Sequence, residues 1–148
     1  MTVGWLLDTN VVSELFKGAR ASRAVRAWVD RTDEEELYLS VITLGEIAKD
    51  IGLAEDRGRD MSRQRVFLER ILPDTFGDRI LPFDGRAAIA WGRILKSLSG
   101  SRAEERLLAI DAQIAATAEV ASLRLCSRNI KDFEGLGVSE VFNPFEAL

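Results

Sequence analysis

Residues 3–10 read VGWLLDTN, an apolar run that ends in an acid and two polar residues. The run at residues 3–7 predicts a buried, central strand of a parallel sheet. Asp8 follows this strand directly, and the sequence of residues 8–10 is typical of a helix start. We therefore expect a strand, an acid at its carboxyl end and then a helix that leaves the sheet.

Strands and helices alternate along the rest of the chain. Four further strands are predicted, at residues 37–41, 80–83, 123–126 and 141–144. The first helix is expected to end at Gly18, and later helices are expected at residues 22–32, 43–53, 63–72, 85–99 and 111–121. Pro73 is expected to end the helix before it, with a charged connection at residues 55–62 and a polar loop at residues 100–105. This order predicts one domain, residues 1–148, with a three-layer α/β/α architecture and a central, mainly parallel sheet of four to five strands.

The composition limits the chemistry that the protein can use. The chain has 148 residues, no histidine and one cysteine. These counts exclude histidine-dependent nucleophilic schemes and zinc sites of the usual ligand types. Hydrolysis would have to depend on carboxylates, whose oxygens suit the hard ions Mg²⁺ and Mn²⁺. The lone thiol, Cys126, is expected to be buried and structural.

Charge and apolar patterning bear on partners and location. The net charge of −4 argues mildly against a nucleic-acid partner, although a bound metal ion would change the local sign of an acidic site. No apolar run approaches the roughly 20 residues needed to span a bilayer, and the first residues do not resemble a secretory signal. We therefore expect no membrane partner and a cytoplasmic location.

Several acidic and amide side chains are expected at one edge of the sheet. Asp8 follows the first strand, and Asn129 and Asp132 follow a later one. Ligands of parallel α/β sheets bind beyond these carboxyl ends. Asp111 opens a buried helix, and Glu46 lies beside the apolar stripe of another helix. Buried carboxylates are costly unless a cation compensates them, so the pattern favours a metal site.

Each of these residues also has a purely structural explanation, which the sequence leaves open. Asp8 and Asp111 could be helix caps, and Glu46 could be a solvated helix residue. Asn129 and Asp132 are of residue types that are favoured in turns. Spacing along the chain does not show that these side chains meet in space.

Four short segments resemble the motifs of one known family. Residues 6–15, LLDTNVVSEL, resemble the opening of a PIN domain. The segments SVITLGEI (40–47), DAQIAATA (111–118) and SRNIKDF (127–133) are similar to the second, third and fourth motifs of that family. Any one segment alone is a weak signal, but the ordered set covers nearly the whole chain. The most similar branch is the VapC/FitB group of toxins from bacterial toxin–antitoxin pairs.

This resemblance implies a metal-dependent endoribonuclease that hydrolyses RNA phosphodiester bonds. The acidic residues of the family correspond to Asp8, Glu46 and Asp111, which would hold one or two Mg²⁺ or Mn²⁺ ions. Asp8 and Asp111 would be direct ligands. Glu46 would bind the ion directly or through water, or accept the proton of the attacking water.

Five further residues are expected to assist these acids. Thr9, Asn10 and Ser13 lie at the start of the first helix, where they would orient the first acid or bind phosphate. PIN domains commonly carry a fourth acid in the last motif, but this chain has Asn129 there, with Asp132 three residues later. Asn129 would be a neutral ligand or orient water, and Asp132 would replace the missing acid or cap a turn.

The resemblance also implies protein partners. One is a cognate antitoxin, whose arginine would compete with metal for the carboxylates, and another is a second copy of the chain in a homodimer. The alternative is a catalytically weak or inactive PIN-like interaction module that binds RNA or a protein. Phosphoryl transfer through an aspartyl-phosphate is a further class, and it is disfavoured because Asn10 stands where a second acid would be needed.

Overall fold

A five-stranded parallel sheet forms the centre of the computed structural model, which describes residues 3–98 and 110–147. The strands are Trp5–Leu7 (β1), Leu37–Ser40 (β2), Ile80–Leu81 (β3), Arg124–Cys126 (β4) and Val141–Phe142 (β5). Their order in the sheet is β3-β2-β1-β4-β5, and every neighbouring pair is parallel. The predicted parallel α/β sheet is therefore confirmed, with β1 in the middle.

The helices complete the two outer layers. They are Thr9–Phe16 (α1), Arg23–Arg31 (α2), Val41–Asp56 (α3), Ser62–Val66 (α4), Leu72–Phe76 (α5), Gly85–Ser97 (α6) and Ile110–Ala121 (α7). Successive side chains of a strand point to opposite faces of the sheet. Accordingly Leu7 packs with α1, α2, α3 and α5 in one apolar cluster, whereas Leu6 packs with α6 and α7 in the other. The predicted three-layer α/β/α arrangement follows from this alternation.

Polar residues gather where β1 and β4 end. The register pairs Leu7 with Cys126, and the N–H of Asp8 donates to the carbonyl of Cys126 at 2.9 Å. Because the two strands are parallel, Asp8 and Ser127 leave the sheet side by side. The carboxyl edge of the sheet thus begins with these two residues.

All five strands are shorter than predicted, and in two of them the reason is that the chain enters a helix or a turn sooner. Val41 opens α3 instead of ending β2, since the Ser40 Oγ accepts the N–H of Ile42 at 3.0 Å and caps the helix. After β5, the Asn143 side chain caps a 3₁₀ turn, Pro144–Glu146, so the last strand stops at Phe142. Helix α3 also runs on to Asp56, into the predicted connection at residues 55–62.

The prediction that Pro73 ends a helix is wrong. The helical path continues from α4 through a π-helical segment, Phe67–Ile71, into α5, which ends at Phe76. Proline has no N–H to donate, and its ring clashes with the carbonyl four residues earlier in a regular helix. Here the N–H of Leu72 donates to the carbonyl of Phe67, five residues back. The wider π turn changes the local geometry, and Pro73 then lies in the first turn of α5, where a missing donor is tolerated.

Three smaller predictions have separate outcomes. Cys126 is fully buried, as expected. Within residues 3–98 and 110–147, no helix is long and apolar enough to cross a membrane. The polar loop predicted at residues 100–105 lies outside the described residues.

Candidate active site

Asp8 is buried at the carboxyl edge of the sheet, with only 5% of its surface exposed. Its Oδ1 accepts the N–H of Thr9 at 2.8 Å, which makes Asp8 the N-cap of α1. Its Oδ2 accepts the hydroxyl of Ser127 at 2.7 Å and the side-chain amide of Asn10 at 3.2 Å. The structural explanation for Asp8 is therefore correct as far as it goes. It leaves unexplained why a carboxylate, and not a neutral cap, is buried here.

Burial raises the pKa of the Asp8 carboxyl above its ordinary value. The hydrogen bonds from Ser127, Thr9 and Asn10 act in the opposite direction, because they favour the ionised form. The charge of Asp132 adds a smaller upward contribution. The net effect is a raised pKa, so ionisation of Asp8 is costly at this position. A nearby cation would stabilise the ionised form.

Glu46 is the second acid at this edge and is half-buried on α3. Its Oε1 accepts the hydroxyl of Thr9 at 2.5 Å. Burial raises the pKa of Glu46, and the charge of Asp8 raises it further. Thr9 therefore holds both acids, Asp8 through its backbone N–H and Glu46 through its hydroxyl. The structure brings these two predicted acids together.

Ser127 is a site residue to which the sequence analysis assigned no role. Its side chain is fully buried, and its Oγ donates to Asp8 while accepting the N–H of Asn129 at 3.0 Å. The Nδ2 of Asn10 also lies 3.4 Å from the Ser127 Oγ. Its position in the chain carried a usable signal, since Ser127 follows β4 as Asp8 follows β1.

Thr43 is a second residue that the sequence analysis missed. It is fully buried on α3, and its hydroxyl lies 3.3 Å from that of Thr9. This contact ties the start of α1 to α3 on the side where Glu46 projects. Thr43 lies in the segment of residues 40–47 that resembles the second PIN motif, but its residue type alone does not distinguish it from an ordinary helix residue.

Asp111 is the second residue of α7 and is half-buried. Helix α7 ends next to the amino end of β4, since the N–H of Leu123 donates to the carbonyl of Ala118 at 2.9 Å. Because the helix runs antiparallel to the strand that follows, its first turn lies toward the carboxyl edge. Asp111 is therefore placed at the same edge as Asp8 by the topology.

The tight convergence of three acids that the sequence suggested is not present among the described residues. In residues 3–98 and 110–147, no three histidine, cysteine, aspartate or glutamate side chains are close enough to hold one ion. Mg²⁺ is commonly bound through only one or two carboxylates, with water completing its shell. Asp8 and Glu46 provide two carboxylates, which is the number that such a magnesium site needs.

The remaining predicted residues lie at different distances from the pair. Asn10 belongs to the site, where it bonds Asp8 and Ser127. Asn129 contacts Ser127 only through its backbone, and exposed Asp132 donates its N–H to the carbonyl of Asn129 at 3.1 Å. Ser13 is exposed and lines a largely apolar cavity between α1, α3 and α4, and it makes no hydrogen bond to Asp8 or Glu46 among the described residues.

The raised pKa of Asp8 predicts how stability depends on pH. A carboxyl whose pKa is higher in the folded than in the unfolded state stabilises the fold at low pH, and this contribution is lost as pH rises through the folded pKa. In the presence of EDTA, the free energy of unfolding of the wild type should therefore fall relative to Asp8→Asn as pH rises above about 4. Urea denaturation between pH 4 and 8 measures this difference, and parallel curves for the two proteins would contradict it.

Comparisons with known proteins place this arrangement in a family. A family model described as the PIN domain matches residues 5–136. The chain is similar to "Toxin FitB" of Neisseria gonorrhoeae, with 36% identity over 140 residues that cover 95% of this chain and 97% of the relative. It is also similar to "VapC ribonuclease Y4jK" of Sinorhizobium fredii, with 37% identity over 146 residues that cover 95% and 97% of the two chains.

Solved structures show the same similarity in three dimensions. The crystal structure of FitAcB from Neisseria gonorrhoeae matches with a TM-score of 0.78 and 32% identity, covering 96% of this chain and 99% of that chain. A toxin–antitoxin complex from Klebsiella pneumoniae matches with a TM-score of 0.63 and 27% identity, covering 95% and 98% of the two chains. The match extends over the whole sheet and both helical layers, including the edge that carries the acids.

Proposed function

The chain belongs to the PIN domain family, and from this premise we propose that it is a metal-dependent endoribonuclease and the toxin of a toxin–antitoxin pair. The observation that carries the proposal is the pairing of Asp8 with Glu46 at the carboxyl edge of the sheet. Two neighbouring carboxyls with raised pKa values are destabilised as ions unless a cation lies between them. The relatives named as a toxin and as a VapC ribonuclease support the same activity.

The donor set at this edge fits a hard divalent ion, Mg²⁺ or Mn²⁺. Asp8 and Glu46 would hold it directly, whereas Asp111 in the first turn of α7 would act through water bound to the ion. Asn129 is available as a neutral ligand. One ion or two would be accommodated. When bound, such an ion makes water a better nucleophile and offsets charge on the phosphate.

The residues of the chain orient this chemistry. The hydroxyl of Ser127 and the N–H of Thr9 fix the two oxygens of Asp8, so the carboxylate cannot rotate. Thr9 also fixes one oxygen of Glu46, which leaves the other oxygen available for a ligand or a proton. Glu46 would use that oxygen to bind the ion or to accept the proton of the attacking water as a general base.

A protein partner is the second part of the proposal. Solved relatives include toxin–antitoxin complexes. The surface around the π-helical segment is unusually apolar, since Val66 and Ile71 are 49% and 48% exposed beside half-buried Phe16 and Phe67. Exposed apolar patches of this kind commonly mark protein interfaces. We therefore propose an antitoxin as the partner, and a homodimer as the state of the free chain, which light scattering would test.

Cleavage of RNA tests the proposed activity. Purified protein is incubated with total RNA in buffer that contains Mg²⁺, Mn²⁺ or EDTA, and the new ends are mapped by sequencing. We expect discrete cuts with either ion and none with EDTA. Binding of RNA without any cut would instead favour the inactive interaction module, and cuts that survive EDTA would overturn the metal assignment.

The role of Glu46 predicts a specific loss of activity. Glu46→Gln retains an oxygen that accepts the Thr9 hydroxyl but cannot take a proton, so the rate of RNA cleavage should fall about 100-fold or more. Asp56→Asn is the matched control, because Asp56 is an exposed acid at the C-terminal end of the same helix, α3. The control should cleave at the wild-type rate, and equal rates for all three proteins would exclude Glu46 from the chemistry.

A further inference from the structure

Arg128 is a surface arginine that the assignment of the acids leaves without a role. It directly follows Ser127, and its side chain is exposed. We infer that Arg128 binds a backbone phosphate of the RNA next to the Asp8–Glu46 pair and so positions the substrate. This inference rests on the proposed ribonuclease function and adds a contact to the substrate.

The backbone of Arg128 is fixed to the acidic pair on one side and to the chain terminus on the other. Its N–H donates to Asn10 Oδ1 at 3.1 Å, and Asn10 in turn donates to Asp8. Its carbonyl accepts the side-chain amide of Asn143 at 3.3 Å. Two hydrogen bonds therefore connect the backbone of Arg128 to the buried carboxylate, and they fix the point from which its side chain extends.

The side chain of Arg128 is held by an aromatic ring. Its guanidinium carbon lies 3.7 Å from the centroid of the Phe145 ring, a cation–π contact. Asn143 also accepts the N–H of Phe145 at 2.9 Å, so one asparagine positions both members of the contact. Stacking occupies a face of the guanidinium and leaves the N–H donors at its rim to bind in its plane.

Arg124, on strand β4, is a second arginine that stacks on an aromatic ring, and its contacts are those of a structural residue. The guanidinium of Arg124 lies 3.8 Å from the centroid of the Trp5 ring, but it also bonds the carbonyl of Val3 and pairs with Glu140 at 3.7 Å. In the part of the chain that the structure describes, the Arg128 guanidinium has no such hydrogen bond or ion pair. The hydrogen bond from Lys17, at 2.7 Å, lowers the pKa of Glu14 most, and the charge of Arg128 contributes less. The N–H donors of Arg128 therefore remain available for a ligand.

The surroundings of Arg128 carry both positive and negative charges, so phosphate recognition would depend on the orientation of its guanidinium more than on the net charge of the surface. Arg128 and Lys131 line an open cleft of about 540 Å³, together with Asn129 and Asn143, but the acids Asp132, Glu134 and Glu146 line it as well. The whole chain carries a net charge of −4. The cleft itself is thus not a uniformly basic surface, and a pre-oriented guanidinium that binds phosphate with two N–H groups would provide the attraction.

Binding and cleavage of one RNA test this inference. The probe is a fluorescein-labelled single-stranded RNA of 20 nucleotides and mixed sequence, with binding measured by anisotropy in EDTA at several salt concentrations. Arg128→Ala should weaken binding about tenfold and reduce the slope of log affinity against log salt by about 0.7. With Mg²⁺, KM should rise by a similar factor while kcat changes less than about twofold. Arg128→Lys should recover the salt slope but only part of the affinity, because lysine does not bind phosphate in two-point fashion.

Matched variants separate the inferred role from a structural one. Phe145→Leu keeps an apolar side chain but removes the ring, so it should weaken binding about threefold. Arg124→Gln removes the other stacked arginine and should leave RNA affinity unchanged. Wild-type cleavage with unaltered KM and salt slope in Arg128→Ala would overturn the role of Arg128 alone. A weaker affinity with an unaltered salt slope would also overturn it, since the contact would then be to a base. A wild type that neither binds nor cleaves RNA would overturn the proposed function and this inference together.

Discussion

Asp8→Asn is expected to reduce the rate of metal-dependent RNA cleavage at least about 100-fold, while the protein remains folded. Asparagine is as good a helix cap as aspartate, because its single oxygen can accept the N–H of Thr9. Its amide then faces the hydroxyl of Ser127, which can accept as well as donate. It removes the negative charge that would hold the ion, however, and losses of one charge-stabilising group in an active site are of this size. The measurement is the initial rate of cleavage of a labelled RNA in Mg²⁺, together with the circular dichroism spectrum.

Asp84→Asn is the control for this prediction, because Asp84 caps α6 in the same manner. Its Oδ1 accepts the N–H of Ala87 at 3.1 Å, and its residue is exposed. We expect Asp84→Asn to cleave RNA at the wild-type rate. If both variants lost activity equally, the loss would reflect helix capping. If Asp8→Asn kept full activity, Asp8 would not be a metal ligand.

Phe133→Ala is expected to lower the free energy of unfolding by about 3–5 kcal/mol, the range for loss of a buried phenylalanine. Phe133 is 2% exposed and packs with the apolar cluster under α6 and α7. It ends the 3₁₀ turn Ile130–Phe133, which follows Asn129 directly. Its ring therefore anchors the loop that carries Asn129 and Asp132 to the core.

Ile130→Ala is the matched control for the loss at Phe133. Ile130 begins the same turn, but 36% of its surface is exposed, so its truncation should change the free energy of unfolding by less than about 1 kcal/mol. Urea titrations of the three proteins measure both values. A loss at Ile130 as large as the loss at Phe133 would mean that the turn, and not the buried ring, sets the stability of this region.

The parts of the fold that the sequence predicted correctly depend on local patterns. The apolar run before Asp8 indicated the central strand, and the residue types at positions 8–10 indicated the start of α1. Both signals act within a few residues, so periodicity and capping preferences detect them. The failure at Pro73 has a local cause too, since a π-helical turn changes the hydrogen-bond spacing on which the rule for proline depends.

The site was predicted less completely, because its contacts join distant parts of the chain. Ser127 and Asp8 are 119 positions apart, and Thr9 and Glu46 are 37 apart. Whether these side chains meet depends on strand order and register. Both are properties of the whole sheet, so short sequence patterns do not reveal them. Beyond the family resemblance, the one useful guide was position at the end of a strand. It identified Asp8 and could have identified Ser127, but it gave no indication of Thr43.

Binding of Mn²⁺ tests the central claim most directly. Electron paramagnetic resonance counts free Mn²⁺ in titrations of the wild type, Asp8→Asn and Asp84→Asn without RNA. We predict that the wild type and Asp84→Asn take up the ion with equal affinity, and that Asp8→Asn binds it at least about tenfold more weakly. Equal uptake by all three proteins would contradict the claim that the carboxylate at the end of the central strand holds a divalent ion.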